Sequence, residues 1–142
     1  MTHLCLPTDL QAQILKDCVR RYPEEACGLL IGSSDGQVTD IVLSPNLSDE
    51  PERNFEIDPA LIIAQQKHGR SGQTKNQTKI LGHFHSHPDG SAQPSARDQA
   101  QNYDSDLIWL IVQVTDGVAQ EIAAFATEEK TGQLTAIAMY KS

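Results

Sequence analysis

The residues of this chain with the clearest chemical potential are three alternating histidines, His83, His85 and His87. Ser95 follows His87 after seven intervening residues, and Asp98 follows Ser95 after two more. Two imidazoles at the end of a strand and a carboxylate in the first turn of the next helix can converge on one divalent ion, leaving a fourth tetrahedral position open. Such an open position is typical of catalytic zinc sites rather than structural ones.

Each of these residues also has an ordinary structural interpretation. A lone histidine is more often packed than ligating, Ser95 has the spacing of a helix N-cap, and Asp98 suits the positive end of a helix dipole. These roles do not exclude a metal site, because the start of a helix fixes both side chains toward whatever precedes it. The His-x-His pattern alone is weak evidence for any one function, since several classes of hydrolase use it. The chain contains no His-Glu-x-x-His, no Cys-x-x-Cys and no nucleobase deaminase signature.

A catalytic metal site also needs a base that takes a proton from water, and a carboxylate is the common choice. Glu24 and Glu25 stand directly before an apolar run, residues 26–31, that predicts a buried strand. Either alone is ordinarily a solvated surface acid. One residue of strand register decides which of the two faces inward, and the sequence leaves that choice open.

The elements that must position these residues alternate between strands and helices. Apolar periodicity and capping signals, among them Thr8 three residues before Gln11 and Asp58 before Pro59, predict three helices, over residues 6–21, 58–69 and 95–103. Apolar runs between turn residues predict six strands, over residues 26–31, 37–43, 79–85, 107–114, 118–126 and 133–139. This order indicates a mixed α/β domain.

Composition bounds the function further. The 142 residues carry 11 Lys and Arg against 19 Asp and Glu, a net charge of −8, which argues against a nucleic-acid binder. No apolar run approaches the roughly 20 residues of a membrane helix. Three cysteines are too few for a disulfide framework, and reduced thiols indicate a cytoplasmic protein. Four basic residues fall in an acid-free segment before the histidines: Lys67, Arg70, Lys75 and Lys79.

Three stretches taken together resemble a known family. Pro23-Glu-Glu-Ala-Cys-Gly28, His85-Ser-His-Pro88 and Ser95-Ala-Arg-Asp98 are similar to the JAMM motif of the MPN+ (JAB/Mov34) metalloproteases, specifically the short stand-alone prokaryotic members. The likeness extends over the whole chain. It implies a single α/β domain, residues 1–142, of the MPN type, which is cytidine-deaminase-like, with a mixed central β-sheet flanked by about three helices.

The resemblance also implies roles for individual residues. His85, His87 and Asp98 match the Zn²⁺ ligands of the family. Glu25 matches its catalytic glutamate, which takes a proton from a zinc-activated water and returns it to the departing amine, and Ser95 matches the serine that steadies the oxyanion. His83 falls where the family has no known function, so we expect it to pack behind the ligands. Cys27 is expected to be a small buried apolar residue.

The family resemblance implies a substrate as well. It points to hydrolysis of an amide or isopeptide bond after the C-terminal Gly-Gly of a ubiquitin-like or sulfur-carrier protein, and we hypothesise that the basic segment meets an acidic face of that partner. Two alternatives stay open: a non-catalytic MPN scaffold or binding module, and a metallopeptidase for small peptides. The identity of the carrier and the oligomeric state are not determined by the sequence.

Overall fold

A computed structural model describes residues 2–70 and 77–141 of the chain. Over these residues it contains seven strands and three helices. In chain order they are β1 (His3–Cys5), α1 (Thr8–Arg21), β2 (Cys27–Gly32), β3 (Val38–Ser44), α2 (Pro59–Arg70), β4 (Lys79–Pro88), α3 (Ala96–Ala100), β5 (Ile108–Thr115), β6 (Val118–Thr127) and β7 (Leu134–Tyr140). None of the helices described is both long and apolar enough to cross a membrane.

The strands form one mixed sheet in the order β1-β7-β6-β5-β4-β2-β3. The β1–β7 and β4–β5 pairs are parallel, and the other neighbours are antiparallel. The backbone N–H of Cys5 donates to the carbonyl of Gly36 at 2.8 Å, and Cys5 bridges Gln37 just before β3. The two outer strands therefore meet, so the sheet curls around its core. The predicted mixed α/β class is confirmed.

The main hydrophobic core lies between α1 and one face of the sheet. Leu10, Ile14 and Cys18 recur at helical spacing on α1 and are buried there. Alternate residues of β5, from Ile108 to Val114, point to the same core because successive strand residues face opposite sides. Removing one such core side chain to alanine typically costs 2–5 kcal/mol. This packing fixes the sheet and thereby the strand that carries the histidines.

Three sequence-based expectations about the elements are corrected. β1 was not predicted. Thr8 does not cap α1; Pro7 takes the N-cap position with an extended backbone and no side-chain cap, because the chain enters the helix directly from β1. α3 ends at Ala100 rather than near residue 103. The side chain of Asn102 instead accepts a hydrogen bond from Trp109 and donates one to Thr127, which holds the chain out of the helix.

The residues that matter for chemistry lie at one end of the sheet, where β2 begins and β4 ends. These strands are antiparallel, and Cys27 pairs with His85, so the residues before β2 and the end of β4 lie at the same edge. Phe84 lies in the main core, and Ser86, on the same side of β4, donates its backbone N–H to the carbonyl of Ala26. The three histidines consequently share the opposite face of β4, as their alternation predicts.

Candidate metal centre

Three side chains from β4 and α3 converge at this edge of the sheet. The Nε2 atoms of His85 and His87 lie 2.9 Å apart, and the Asp98 carboxylate lies 2.9 Å from His87 Nε2 and 3.2 Å from His85 Nε2. Zinc bonds of about 2.0–2.2 Å in a tetrahedron place neighbouring ligand atoms about 3.3 Å apart. The spacing of the three atoms therefore fits a single zinc-sized ion.

The protonation of the imidazoles fits the same interpretation. His87 Nδ1 lies 2.7 Å from the carbonyl oxygen of Ser91. A carbonyl only accepts, so Nδ1 carries the hydrogen, and in the neutral ring the Nε2 lone pair points toward the other two atoms. Burial lowers the pKa of His87, but its hydrogen bonds with Asp98 and the Ser91 carbonyl outweigh burial and raise it above its ordinary value. His85 is fully buried, and burial lowers its pKa, which favours the neutral ring. Two imidazole nitrogens and a carboxylate oxygen around one point are a donor set that suits zinc.

Asp98 is fixed by the helix it begins. Its backbone N–H donates to Ser95 Oγ at 3.0 Å, and its carboxylate accepts from the Ser95 backbone N–H at 3.0 Å, which completes a capping box. Burial raises the pKa of the Asp98 carboxyl, but hydrogen bonds with His85, His87 and the Ser95 backbone outweigh burial and hold it below its ordinary range. The group is thus a carboxylate near neutral pH.

The structural and functional interpretations of Ser95 coexist. Its oxygen serves as the N-cap, while its side chain is exposed on a cleft next to His87. Among the described residues the hydroxyl hydrogen has no acceptor. Ser95 therefore keeps a donor that can be directed into the cleft.

Aromatic rings cover the back of the ligands, and sequence reasoning missed them. Phe55 stacks on His85 with ring centroids 4.2 Å apart and 16° between planes, and Trp109 approaches the same imidazole edge-on at 5.7 Å. His83 packs edge-on against Trp109 at 4.5 Å and is not among the converging atoms. Burial lowers the His83 pKa to about 3. His83 is therefore a neutral packing residue behind the site.

The structure resolves the register of the two glutamates. Glu24 is exposed, whereas Glu25 is only 6% exposed and lines the same cleft as His87. The Glu25 backbone N–H donates to the carbonyl of Pro51 at 2.7 Å, and its carbonyl accepts from the Asn46 side chain at 3.0 Å. Burial raises the pKa of the Glu25 carboxyl to about 7, and the nearby His87 opposes that rise. A group with this pKa holds and releases a proton at neutral pH.

A cleft that His87 lines has a volume of about 310 Å³. Its lining includes Glu25, His87 and Ser95, together with Glu52 and Arg53. The cleft is open enough to admit a chain segment. A proton-exchanging carboxyl, a hydroxyl donor and one of the candidate metal ligands, His87, therefore face one space.

Neither Lys67 nor Lys79, two residues of the basic segment, lines this cleft. Lys79 begins β4, six residues before His85, and at about 3.3 Å per residue the two are about 20 Å apart. Gln65 and His68, which flank Lys67 in α2, line a different cavity. Arg70 ends α2, and Lys75 lies outside the described residues. Lys79 therefore begins the strand that carries the histidines, at the end of that strand opposite to the converging side chains.

Comparisons with known proteins identify the family of the chain. The family model described as prokaryotic homologs of the JAB domain matches residues 7–128. Among curated relatives, the chain is 32% identical over 104 residues to the tail tip assembly protein K of Escherichia phage N15, covering 73% of this chain and 38% of the relative. It is 31% identical over 90 residues to the desampylase of Haloferax volcanii, covering 63% of this chain and 62% of the relative. The chain thus spans less than two thirds of either relative.

Solved structures share the fold. A protein from Desulfitobacterium hafniense superposes with a TM-score of 0.77 at 29% identity, over 98% of this chain and 94% of that one. A JAB1/MPN domain protein from Archaeoglobus fulgidus superposes with a TM-score of 0.61 at 18% identity, over 96% and 99% of the two chains. The second likeness concerns the fold alone.

Proposed function

The chain belongs to the family of prokaryotic homologues of the JAB domain, and from this premise we propose that it is a zinc-dependent metallo(iso)peptidase. The proposed reaction is hydrolysis of the amide bond after the C-terminal Gly-Gly of a ubiquitin-like or sulfur-carrier protein. The observation that carries the proposal is the convergence of His85, His87 and Asp98, of which His87 lines a cleft together with Glu25 and Ser95.

His85, His87 and Asp98 are the residues that would hold the ion. A bound zinc would supply Lewis acidity, which makes a water molecule acidic enough to lose a proton near neutral pH and polarises a carbonyl. Phe55 and Trp109 shield the His85 side of the site from bulk water. Low polarity on that side strengthens the electrostatic interactions of the ligands.

Glu25 and Ser95 are proposed to move the proton and to bind the developing charge. A Glu25 carboxylate oxygen takes the proton of the attacking water and passes it to the nitrogen of the departing amine. A pKa of about 7 suits both halves of this task. The Ser95 hydroxyl donates to the carbonyl oxygen as that oxygen becomes negative, a contribution typically worth about 3 kcal/mol of barrier.

The substrate class is supported by a desampylase among the relatives, a name that implies a ubiquitin-like protein as substrate. A Gly-Gly tail is narrow because it carries no side chains, so it suits a cleft of about 310 Å³. A folded carrier of about 80 residues is about 30 Å across. Lys67, Arg70, Lys75 and Lys79 therefore remain a proposed contact for its acidic face, although Lys79 lies about 20 Å from His85 along β4.

A second candidate is an assembly or scaffold module without catalysis. The phage tail tip assembly protein among the relatives favours it. A metallopeptidase for small peptides is the third possibility.

The main proposal also includes that residues 1–142 act as one domain and that the protein is cytoplasmic, in keeping with three unpaired cysteines.

The deciding experiment uses zinc-loaded protein and a carrier that bears an amino acid after its Gly-Gly terminus, followed by intact mass. We expect release of the amino acid, and a loss of about 100-fold or more in kcat for Glu25→Gln with unchanged zinc content. Glu24→Gln is the matched control, because Glu24 is adjacent but exposed. Full-rate cleavage by Glu25→Gln would overturn the mechanism.

The same preparation separates the alternatives. If the protein is a scaffold, we expect no turnover, and the His85→Ala, His87→Ala double variant should contain as much zinc as the wild type. A small-peptide enzyme predicts that short amides are cleaved as fast as the folded Gly-Gly conjugate.

A further inference from the structure

A hydrogen-bonded bridge joins two segments that each carry part of the site. The Tyr22 hydroxyl donates to Asp89 Oδ2 at 2.6 Å, although the two residues are 67 apart in sequence. Tyr22 follows α1 and stands three residues before Glu25. Asp89 follows β4 and stands two residues after His87. We call this contact the Tyr22–Asp89 bridge.

Asp89 is also tied to the neighbouring strands. Its second carboxylate oxygen accepts from the backbone N–H of Asp116, in the turn between β5 and β6, at 2.9 Å. Its own backbone N–H donates to the carbonyl of Val114 at 2.6 Å. One exposed side chain thus gathers the end of α1, the end of β4 and the β5–β6 turn.

The turn that Asp89 anchors holds a metal ligand in place. The backbone N–H of Gly90 donates back to the carbonyl of His87, and the chain then brings the Ser91 carbonyl to His87 Nδ1 at 2.7 Å. That contact sets the tautomer and the ring orientation of His87. Partners of this kind typically change metal affinity 10–100-fold when they are lost.

We propose that Tyr22 and Asp89 are positioning residues, which fix the His87–Ser91 turn relative to the segment of Glu25 and so set the geometry of the metal centre. The inference rests on the proposed function. Neither side chain touches the cleft. Their effect is transmitted through the Ser91 carbonyl on one side and through the short segment from Tyr22 to Glu25 on the other.

The experiment measures zinc affinity by competition with a chromophoric chelator, and the visible absorption of the Co²⁺-loaded protein, for the full chain. We expect Asp89→Ala to raise the zinc Kd at least tenfold and to change the Co²⁺ bands, and Tyr22→Phe to raise it about threefold. Asp89→Asn keeps an acceptor and should recover much of the affinity. The double variant Tyr22→Phe, Asp89→Ala should have the same zinc Kd as Asp89→Ala alone, because each change removes the same bridge.

Two matched controls separate positioning from general loss of stability. Asp35 is another exposed aspartate that holds a turn, accepting from the Ser33 hydroxyl and the Gln37 backbone N–H, but it lies in the β2–β3 hairpin. Asp35→Ala should destabilise the metal-free protein while leaving zinc affinity and Co²⁺ bands unchanged. Tyr103→Phe removes a hydroxyl from a side chain that is 88% exposed and should change nothing.

The outcomes are distinct. Should wild-type protein bind no zinc or Co²⁺, the proposed function itself fails and this inference fails with it. If wild type binds while Tyr22→Phe keeps its affinity, and Asp89→Ala shifts affinity no more than Asp35→Ala, the bridge is structural only and the inference is overturned.

Discussion

Replacing Glu25 with glutamine is expected to stabilise the metal-free protein, and more so as the pH rises. Glu25 is almost fully buried, and burial raises its pKa from 4.5 to about 7. Between these two values the folded chain keeps a proton that the unfolded chain has released, so the free energy of unfolding falls as pH rises. Glutamine is neutral throughout and removes this pH-dependent loss.

The size of the effect follows from the same shift. Each pKa unit corresponds to about 1.4 kcal/mol. The charged carboxylate should therefore lower the free energy of unfolding by about 3 kcal/mol at pH 8 and by less than about 1 kcal/mol at pH 5. Any constant cost of burying the glutamine amide cancels when the two pH values are compared.

Urea unfolding at pH 5 and pH 8, in the presence of a chelator, measures this difference. The gap between Glu25→Gln and wild type should widen by about 2–3 kcal/mol from the lower to the higher pH. The Glu24→Gln variant, altered at the exposed neighbour, should show no such widening. If the gap for Glu25→Gln is the same at both pH values, the carboxyl is not desolvated as the structure has it and the reasoning is refuted.

Three further predictions concern the metal, its aromatic cover and the helix cap. Zinc at about 1,000 times its Kd should raise the free energy of unfolding by about 4 kcal/mol. Thermal unfolding with and without a chelator measures this increase. If zinc stabilises the His85→Ala variant by the same amount, the ion does not bind at the proposed site. Phe55→Ala should cost about 2 kcal/mol in urea unfolding, because the half-buried ring stacked on His85 is lost; an unchanged midpoint would show that the stack adds nothing. Ser95→Ala should cost about 1 kcal/mol as a lost N-cap and lower kcat about 100-fold at unchanged zinc content; a fall in stability with full activity would leave Ser95 only its capping role.

Most of the elements could be predicted from local pattern, and the exceptions have a common physical cause. The buried strands β2 and β5 are continuous apolar runs, and α2 begins at Asp58-Pro59, whose carboxylate does accept from the Ala60 N–H. By contrast β1 has three residues, and its partner strand β7 is at the other end of the chain. No local pattern encodes a pairing over that distance, so β1 was missed.

Within the site, too, local spacing could be predicted from the sequence and contacts between distant segments could not. The three converging side chains lie within fourteen residues of sequence, so their spacing on a strand and the next helix predicts their convergence. Phe55 and Trp109 come from separate segments, and only the folded sheet brings them against His85. The register of Glu25 likewise depends on the pairing of Cys27 with His85 across β2 and β4. Apolar periodicity specifies which face is buried, not which distant residue covers it.

The burial of Glu25 supports the catalytic role proposed for it. Ser95 and Asp98 have a structural task in the cap of α3, and His83 fills space beside Trp109. The Glu25 carboxyl accepts no hydrogen bond from the described residues. Its burial therefore lowers the free energy of unfolding, and no hydrogen bond compensates for that loss. A polar group of this kind at the wall of a cleft is expected where function requires it. The destabilisation predicted above and the proposed proton transfer are therefore two consequences of the same burial.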